Sequence, residues 1–222
     1  PGMYNGGVYS PNQDRIYLVP LTQSHVSQWH YIDCATGSVV AYTHGMGAVA
    51  NGAYLGGVYS PNQDRIYFMP FAAIDSLPWH YIDCANGAVV AYEPGVNTTN
   101  AAYTGGVYSP NQDRIYLMPY AQVNQSEWYY IDCTTGVVVS YTHGIPFDPD
   151  YSRVYFGGVY SPHQDRIYFV PYEQAPLSQW HYVDCATGSV VAYTHGVEAV
   201  MAAYNGGVHS PNTDRVYLVP FS

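Results

Sequence analysis

Apolar residues in this chain recur in short runs in which both alternating sets of positions are apolar. In RIYLVP, residues 15–20, Ile16 and Leu18 would point to one side of an extended strand, and Tyr17 and Val19 to the other. None of these side chains is suited to water, so both faces of such a strand should be buried. No segment shows the periodicity of an amphipathic helix. The pattern therefore predicts an all-β protein whose strands lie inside the fold.

One stretch, GGVYSPNQDRIYLVP at residues 6–20, returns at residues 56, 105, 157 and 206 with few changes. The chain therefore divides into similar units, the last of which is shorter. We predict a single domain made of repeats 6–55, 56–104, 105–156 and 157–205 and a partial repeat, 206–222. Repeats of about fifty residues are typical of stacked arrays and propellers, in which neighbouring units complete one another's core.

Turn residues divide each repeat into short strands. In the second repeat the predicted strands are AYLGGVYS ending at Ser60, RIYFMP from Arg65, WHYIDC from Trp79 and AVVAYEP from Ala88. The first turn, SPNQDR, contains a proline that presets its backbone angle. The second turn, of the DCATG type, contains an aspartate that can accept hydrogen bonds from the N–H groups of the turn. These aspartates are Asp33, Asp83, Asp132 and Asp184.

Antiparallel strands that are apolar on both faces form a sheet that has to lie between two other sheets. A ring of radially packed blades, the β-propeller arrangement, meets that requirement. Each repeat also places two glycines in its first strand, where side chains would collide if that strand lined a crowded axis. The glycine pairs are Gly6 and Gly7, Gly56 and Gly57, Gly105 and Gly106, Gly157 and Gly158, and Gly206 and Gly207.

The repeat resembles a known family. The segment IDCATGSVVAYTHG and the later GGVYSPNQDRIYLVP are similar to the YVTN and WD40-like propeller repeat, with its IDTATNTVV and SPDGKRVYV hairpins. The likeness covers nearly the whole chain and implies that GGVYS is the innermost strand of each blade, although the loops here are longer. It transfers no catalytic residue. The tyrosine-rich motifs WHYIDC and GGVYSP also resemble uncharacterised repeat proteins of giant DNA viruses.

The hairpins are unequal in number, since the GGVYSP type occurs once more than the WHYIDC type. We therefore predict a five-bladed propeller of four-stranded antiparallel blades with an incomplete last blade. A four-bladed ring, with one terminal hairpin displaced or swapped between copies, is the alternative. In the five-bladed arrangement, RVYLVP at residues 215–220 presents unpaired backbone groups on an apolar strand, which is a template for another chain. Self-association or binding of a protein partner is expected.

Charge and apolar patterning argue against two classes of partner. The 6 basic residues, all arginine, and the 16 acidic residues give a formal charge of −10. This charge repels a phosphate backbone, so nucleic acid is not an expected partner. No apolar run has the length of a membrane span, and no signal peptide is recognisable.

Cysteine occurs once in each complete repeat, at Cys34, Cys84, Cys133 and Cys185. No CxxC or Cys/His metal spacing is present, and equivalent positions of successive repeats should lie too far apart for a disulfide. We expect four reduced, buried thiols and a reducing, cytoplasmic location. The triplets Asn97-Thr98-Thr99 and Asn124-Gln125-Ser126 fit glycosylation and leave secretion as the alternative.

No group of residues forms a recognisable active site, because the repeat offers one copy of each side chain per blade. His44, His143 and His195 could meet at the axis as metal ligands, but the second repeat has Glu93 and Pro94 there instead. Two carboxylates, Asp148 and Asp150, fall short of a calcium ligand set. We predict no catalytic residue, no metal and no cofactor.

Four tryptophans that open the third strands are the weak candidates for ligand binding: Trp29, Trp79, Trp128 and Trp180. They adjoin loops that differ between repeats and could stack on sugar rings, whereas packing between blades is their plainer role. The predicted function is a non-enzymatic scaffold or binding module that acts through the variable loop face or an exposed blade edge. A multivalent carbohydrate-binding lectin is the first alternative, and a propeller hydrolase is the second.

Overall fold

A computed structural model describes residues 3–221 except 23–25, 47, 48, 50, 73–77, 97, 99, 122–124, 147–152, 174–178 and 199. These residues form β-strands joined by turns and loops. The described residues contain no helix that is long and apolar enough to cross a membrane. The prediction of an all-β chain is confirmed.

The strands follow the predicted order in every repeat. In blades 1 and 2 the strands are β1 (Tyr4–Ser10), β2 (Arg15–Pro20), β3 (Gln28–Asp33), β4 (Ser38–Thr43), β5 (Tyr54–Ser60), β6 (Arg65–Pro70), β7 (Trp79–Asp83) and β8 (Ala88–Tyr92). In blade 3 they are β9 (Tyr103–Ser109), β10 (Arg114–Pro119), β11 (Glu127–Asp132) and β12 (Val138–Thr142). In blades 4 and 5 they are β13 (Tyr155–Ser161), β14 (Arg166–Pro171), β15 (Gln179–Asp184), β16 (Ser189–Thr194), β17 (Tyr204–Ser210) and β18 (Arg215–Pro220).

Each of the first four blades is an antiparallel sheet whose strands lie in chain order, and blade 5 consists of β17 and β18. Tight turns join the first strand to the second and the third strand to the fourth, and each DCATG-type turn is closed by its aspartate. The Asp33 carboxylate accepts hydrogen bonds from the Thr36 hydroxyl and from the Thr36 N–H, both at 2.9 Å. These two bonds lower the pKa of Asp33. Asp132 accepts corresponding bonds from the N–H groups of Thr134 and Thr135.

Neighbouring blades pack through two unlike faces. The front face of blade 1 carries Val8, Tyr17 and Val19, and the other blades carry equivalent residues there. This face packs on the rear face of the next blade, which in blade 2 carries Ile66 and Phe68. These contacts bury Tyr17, Val19, Ile66 and Phe68 almost completely. The same pair of faces meets between blades 2 and 3 and between blades 3 and 4. The predicted burial of both faces of a blade is therefore confirmed for the inner blades.

The two glycines of the first strand have different structural roles. Gly56 has a φ of 97°, a left-handed conformation that favours glycine. Gly57 lies where a Cβ atom would be 3.0 Å from Cγ2 of Val8 in the preceding blade and 3.3 Å from the carbonyl oxygen of Tyr67. The first strands of neighbouring blades lie against each other. The second glycine therefore permits the close approach of two blades.

Candidate functional site

The four candidate tryptophans are placed between blades. Trp29 and Trp128 are fully buried and Trp79 is nearly so. Trp180 in blade 4 is only partly buried. The first three indoles therefore have no face open to a sugar ring, and Trp180 alone borders an accessible surface.

The THG histidines stack on these tryptophans within their own blades. The ring centroids of His44 and Trp29 are 4.3 Å apart, and those of His143 and Trp128 are 4.1 Å apart. Nε2 of His44 donates to the Val26 carbonyl at 2.7 Å, and Nδ1 accepts from the Met46 N–H at 3.2 Å. In this arrangement Nε2 is the donor and Nδ1 is the acceptor of the imidazole ring. Within the described ranges no three His, Cys, Asp or Glu side chains are close enough to hold a metal ion.

A second set of histidines lies on the third strands and bonds to the tyrosine that opens the first strand of the same blade. Tyr4 is hydrogen-bonded to Nδ1 of His30 at 2.5 Å, and Tyr155 to Nδ1 of His181 at 2.6 Å. Tyr54 and His80 form the equivalent pair in blade 2. Burial lowers the pKa of His80 to about 4, with a smaller contribution from His44. Burial also lowers the pKa of His181 to about 4, so the imidazoles of His80 and His181 are neutral near pH 7.

The cysteines do not share one environment. Cys84, Cys133 and Cys185 are free and buried, as expected, and burial raises the pKa of each thiol to about 11. Cys34 is also free, but it is exposed. The prediction of four buried thiols is therefore wrong for Cys34, because the described residues place no blade over the rear face of blade 1.

The front face of blade 5 exposes residues whose equivalents in the preceding blades are buried or half-buried. Val208 is 58% exposed, whereas Val159, the equivalent residue in blade 4, is 7% exposed. Tyr217 is 50% exposed, and its equivalent in blade 2, Tyr67, is 1% exposed. Val219 is 47% exposed and continues this patch along β18. These three residues form what we call the terminal face.

A cleft of about 220 Å³ adjoins the terminal blade. Its lining includes Tyr168, Trp180 and Tyr193 from blade 4, together with Val216 and Leu218 from β18. Between blades 1 and 2 the corresponding space is filled by Ile82 and Val89 of the outer strands and by Cys84, which follows β7. The cleft therefore lies where blade 5 has no outer strands among the described residues.

The sequence predicted the exposed strand β18, but neither the cleft nor the terminal face was predicted from it. The repeat alignment contained the signal for the terminal face, because Val208 and Tyr217 occupy the positions of Val8 and Tyr17. Part of each loop on the variable face lies outside the described residues. So do the possible calcium ligands Asp148 and Asp150, and so do Asn97 and Asn124 of the two glycosylation-like triplets.

No protein-family model matches the sequence, and no curated protein matches it. Solved structures, in contrast, share the fold. The chain is similar to Kuenenia stuttgartiensis hydrazine synthase at 15% identity and a TM-score of 0.63, over 95% of this chain and 53% of that one. It is similar to an auxiliary nutrient binding protein from Bacteroides thetaiotaomicron at 16% identity and a TM-score of 0.62, over 99% of this chain and 53% of that one.

A further similar structure is the β-propeller domain of Cps50 (Swd1) from Myceliophteria thermophila, at 11% identity and a TM-score of 0.57, over 99% of this chain and 64% of that one. The chain is a β-propeller. In the residues that the structure describes, the sheets have four, four, four, four and two strands, which confirms five blades with an incomplete last one. At these identities the likeness establishes the fold alone.

The propeller chain spans about half the length of the hydrazine synthase and nutrient-binding chains. None of the three similar structures named here is viral, so the resemblance to repeat proteins of giant DNA viruses stays a prediction.

Proposed function

We propose that this propeller is a non-enzymatic module that binds protein, including further copies of itself, through the terminal face of blade 5. The observation that carries the proposal is the exposure of Val208, Tyr217 and Val219 at about half of their surface. In blades 1, 2 and 3 the equivalent face is covered by the next blade. An exposed apolar sheet face beside an unpaired strand edge is a typical protein-binding surface.

The other two functions have less support. A lectin would use the tryptophans, and three of those indoles are buried against other side chains. A hydrolase would need a nucleophile beside a base in a cleft. The cleft beside blade 5 is lined by Gln164 and by apolar and aromatic side chains, without a nucleophile and base pair. Protein contact therefore fits the exposed chemistry best.

The proposed location is a reducing compartment such as the cytoplasm. Its support is that all four cysteines are free. The measurement is the mass of protein isolated from its native source after alkylation without reductant. Four alkylated thiols are expected, and any intermolecular disulfide would contradict the location.

The test of function is size-exclusion chromatography with light scattering over a range of protein concentrations. Val219→Lys places a charge in the terminal face and should abolish a concentration-dependent rise in mass. Val137→Lys is the matched control, because Val137 is 56% exposed in a turn of blade 3, away from the terminal face. Equal masses for the wild type and Val219→Lys at every concentration would refute self-association through this face.

A further inference from the structure

Blade 5 has an open position beside β18, and the four complete blades show what occupies the same position elsewhere. In blade 1, β2 pairs on its outer side with β3 in the register Arg15 with Asp33, Ile16 with Ile32 and Tyr17 with Tyr31. The second strand of each other complete blade has the same register with its third strand. In the described residues β18 pairs with β17 alone.

We propose that this position binds, in trans, a β-hairpin of a partner polypeptide with the outer-strand pattern Trp-His-Tyr-Ile-Asp, a tight turn and Val-Val-Ala-Tyr. The inference rests on the proposed function of the last blade as the protein-binding end, and it adds the chemistry of the partner. Addition of strands to an exposed sheet edge is a general mode of peptide recognition, in which backbone bonds supply affinity and side-chain pockets supply specificity.

The backbone of β18 is oriented for this pairing. In blade 1 the Cys34 N–H donates to the Asp14 carbonyl at 2.9 Å. Because backbone groups alternate in direction along a strand, the N–H and C=O of Ile16 also face β3. The equivalent groups in blade 5 belong to Val216 and Leu218. They face the open side of β18 and are available to a third strand.

The cleft accounts for the apolar positions of the pattern. In blade 2, Ile82 of the third strand and Val89 of the fourth pack against the front face of blade 1 and are 0% and 8% exposed. A hairpin docked on β18 would direct the same two residue types into the cleft beside Trp180 and Tyr193. Trp180 is only partly buried without the hairpin, whereas its equivalents Trp29 and Trp128 are fully buried. The vacant volume and the apolar positions of the hairpin therefore correspond.

Two polar contacts account for the histidine and the tyrosine of the pattern. In blade 4, Tyr155 bonds to His181 of the third strand, and the Arg166 guanidinium lies 4.4 Å from the ring centroid of Tyr182. The equivalents of Tyr155 and Arg166 in blade 5 are Tyr204 and Arg215. Blade 5 is described as β17 and β18, so it contains no third strand whose histidine could bond to Tyr204 or whose tyrosine could lie under Arg215.

The experiment adds a fluorescein-labelled peptide with the sequence of residues 28–45, QWHYIDCATGSVVAYTHG, to the intact chain under reducing conditions. We expect saturable 1:1 binding by fluorescence anisotropy. Hydrogen exchange at the Val216 and Leu218 amides should slow by at least about tenfold at saturation, because these groups become paired. A scrambled peptide and a peptide carrying Ile32→Asp should give neither effect.

Variants of the protein separate this inference from the proposed function. Val216→Pro removes an outward-facing N–H and should abolish peptide binding, because proline is tolerated at a sheet edge but cannot donate. Val219→Lys should lose self-association and keep peptide binding, since Val219 belongs to the terminal face. Self-association of the wild type without peptide binding would overturn the hairpin inference alone.

Three further results would overturn it. The first is binding of the scrambled or the Ile32→Asp peptide with the same affinity as the peptide of residues 28–45. This comparison tests the inference even if Val216→Pro fails to fold. The second is unchanged exchange at Val216 and Leu218 with saturating peptide. The third is slowing of exchange at these amides in Val219→Lys with rising protein concentration and no peptide, because this variant lacks the terminal-face contact and a second copy would then occupy the edge of β18.

Discussion

Gly57→Ala tests whether the close approach of two blades requires a glycine at the second position of the glycine pair. The new Cβ atom would lie 3.0 Å from Cγ2 of Val8, 3.3 Å from the Tyr67 carbonyl oxygen and 3.4 Å from Cγ2 of Val19. A backbone oxygen and two β-branched side chains have little freedom to move aside. Gly206→Ala in the first strand of blade 5 is the matched control, because a Cβ atom there meets nothing within 4 Å.

The expected magnitudes follow from two opposing effects. Overpacking a well-packed site costs about 1–3 kcal/mol. Replacing glycine by alanine also reduces the entropy of the unfolded chain, which stabilises the fold by about 0.4–1 kcal/mol. Gly57→Ala should therefore lower the free energy of unfolding by about 1–2 kcal/mol. Gly206→Ala should raise it by about 0.5 kcal/mol. Gly57→Val adds more volume and should be the most destabilising of the three.

Thermal unfolding followed by far-ultraviolet circular dichroism is the assay. For a domain of this size, about 1 kcal/mol corresponds to a change of about 2–4 °C in Tm. We therefore expect Gly57→Ala to unfold about 2–8 °C below the wild type and Gly206→Ala to unfold slightly above it. Equal melting temperatures for the two alanine variants would refute the role given to blade approach at Gly57.

Two more predictions concern groups whose burial differs between blades. In the native protein a maleimide should label Cys34 rapidly, and it should label Cys84, Cys133 and Cys185 only after denaturation; mass spectrometry of the peptides measures the labelling. Slow labelling of Cys34 in dilute protein would show that the rear face of blade 1 is covered. The pKa of His80 falls from 6.5 in the unfolded chain to about 4 on folding, so the unfolded state binds more protons between these values and Tm should fall as pH drops from 6.5 towards 4. His80→Tyr, which copies Tyr129 of blade 3, should reduce that slope, while His181, whose pKa burial also lowers to about 4, keeps its contribution. An unchanged slope would exclude His80 as a source.

The strands and turns could be predicted because local sequence determines them. Alternation of apolar residues placed Ile16 and Tyr17 on opposite faces, and the structure packs Tyr17 against blade 2. The turn aspartates could be identified because an Asp side chain bonds to backbone groups only two or three residues away, as Asp33 does with Thr36. Such contacts need no knowledge of the rest of the fold.

The environment of the histidines and of Cys34 could not be predicted in the same way. His44 stacks on Trp29, to which it is adjacent only through the pairing of β3 with β4. Cys34 occupies the same sequence context as Cys84, yet one is exposed and the other buried. The difference depends on whether a preceding blade is present, and identical local sequences carry no information about that.

The packing of this propeller leaves two unlike uncovered faces in the structure. Every internal interface joins a front face to a rear face. In the described residues two faces are therefore uncovered. One is the rear face of blade 1, where Tyr9 is 48% and Val39 is 63% exposed, and the other is the terminal face of blade 5. If these two faces met between copies, the contact would be head-to-tail, which forms a closed ring when the rotation sums to a full turn and an open filament otherwise. A hairpin bound to β18 would complete blade 5 and extend the terminal face to the full width of a blade. Assembly and hairpin binding would then act on the same blade, and occupancy of the edge would determine how much of the face is offered to the next copy.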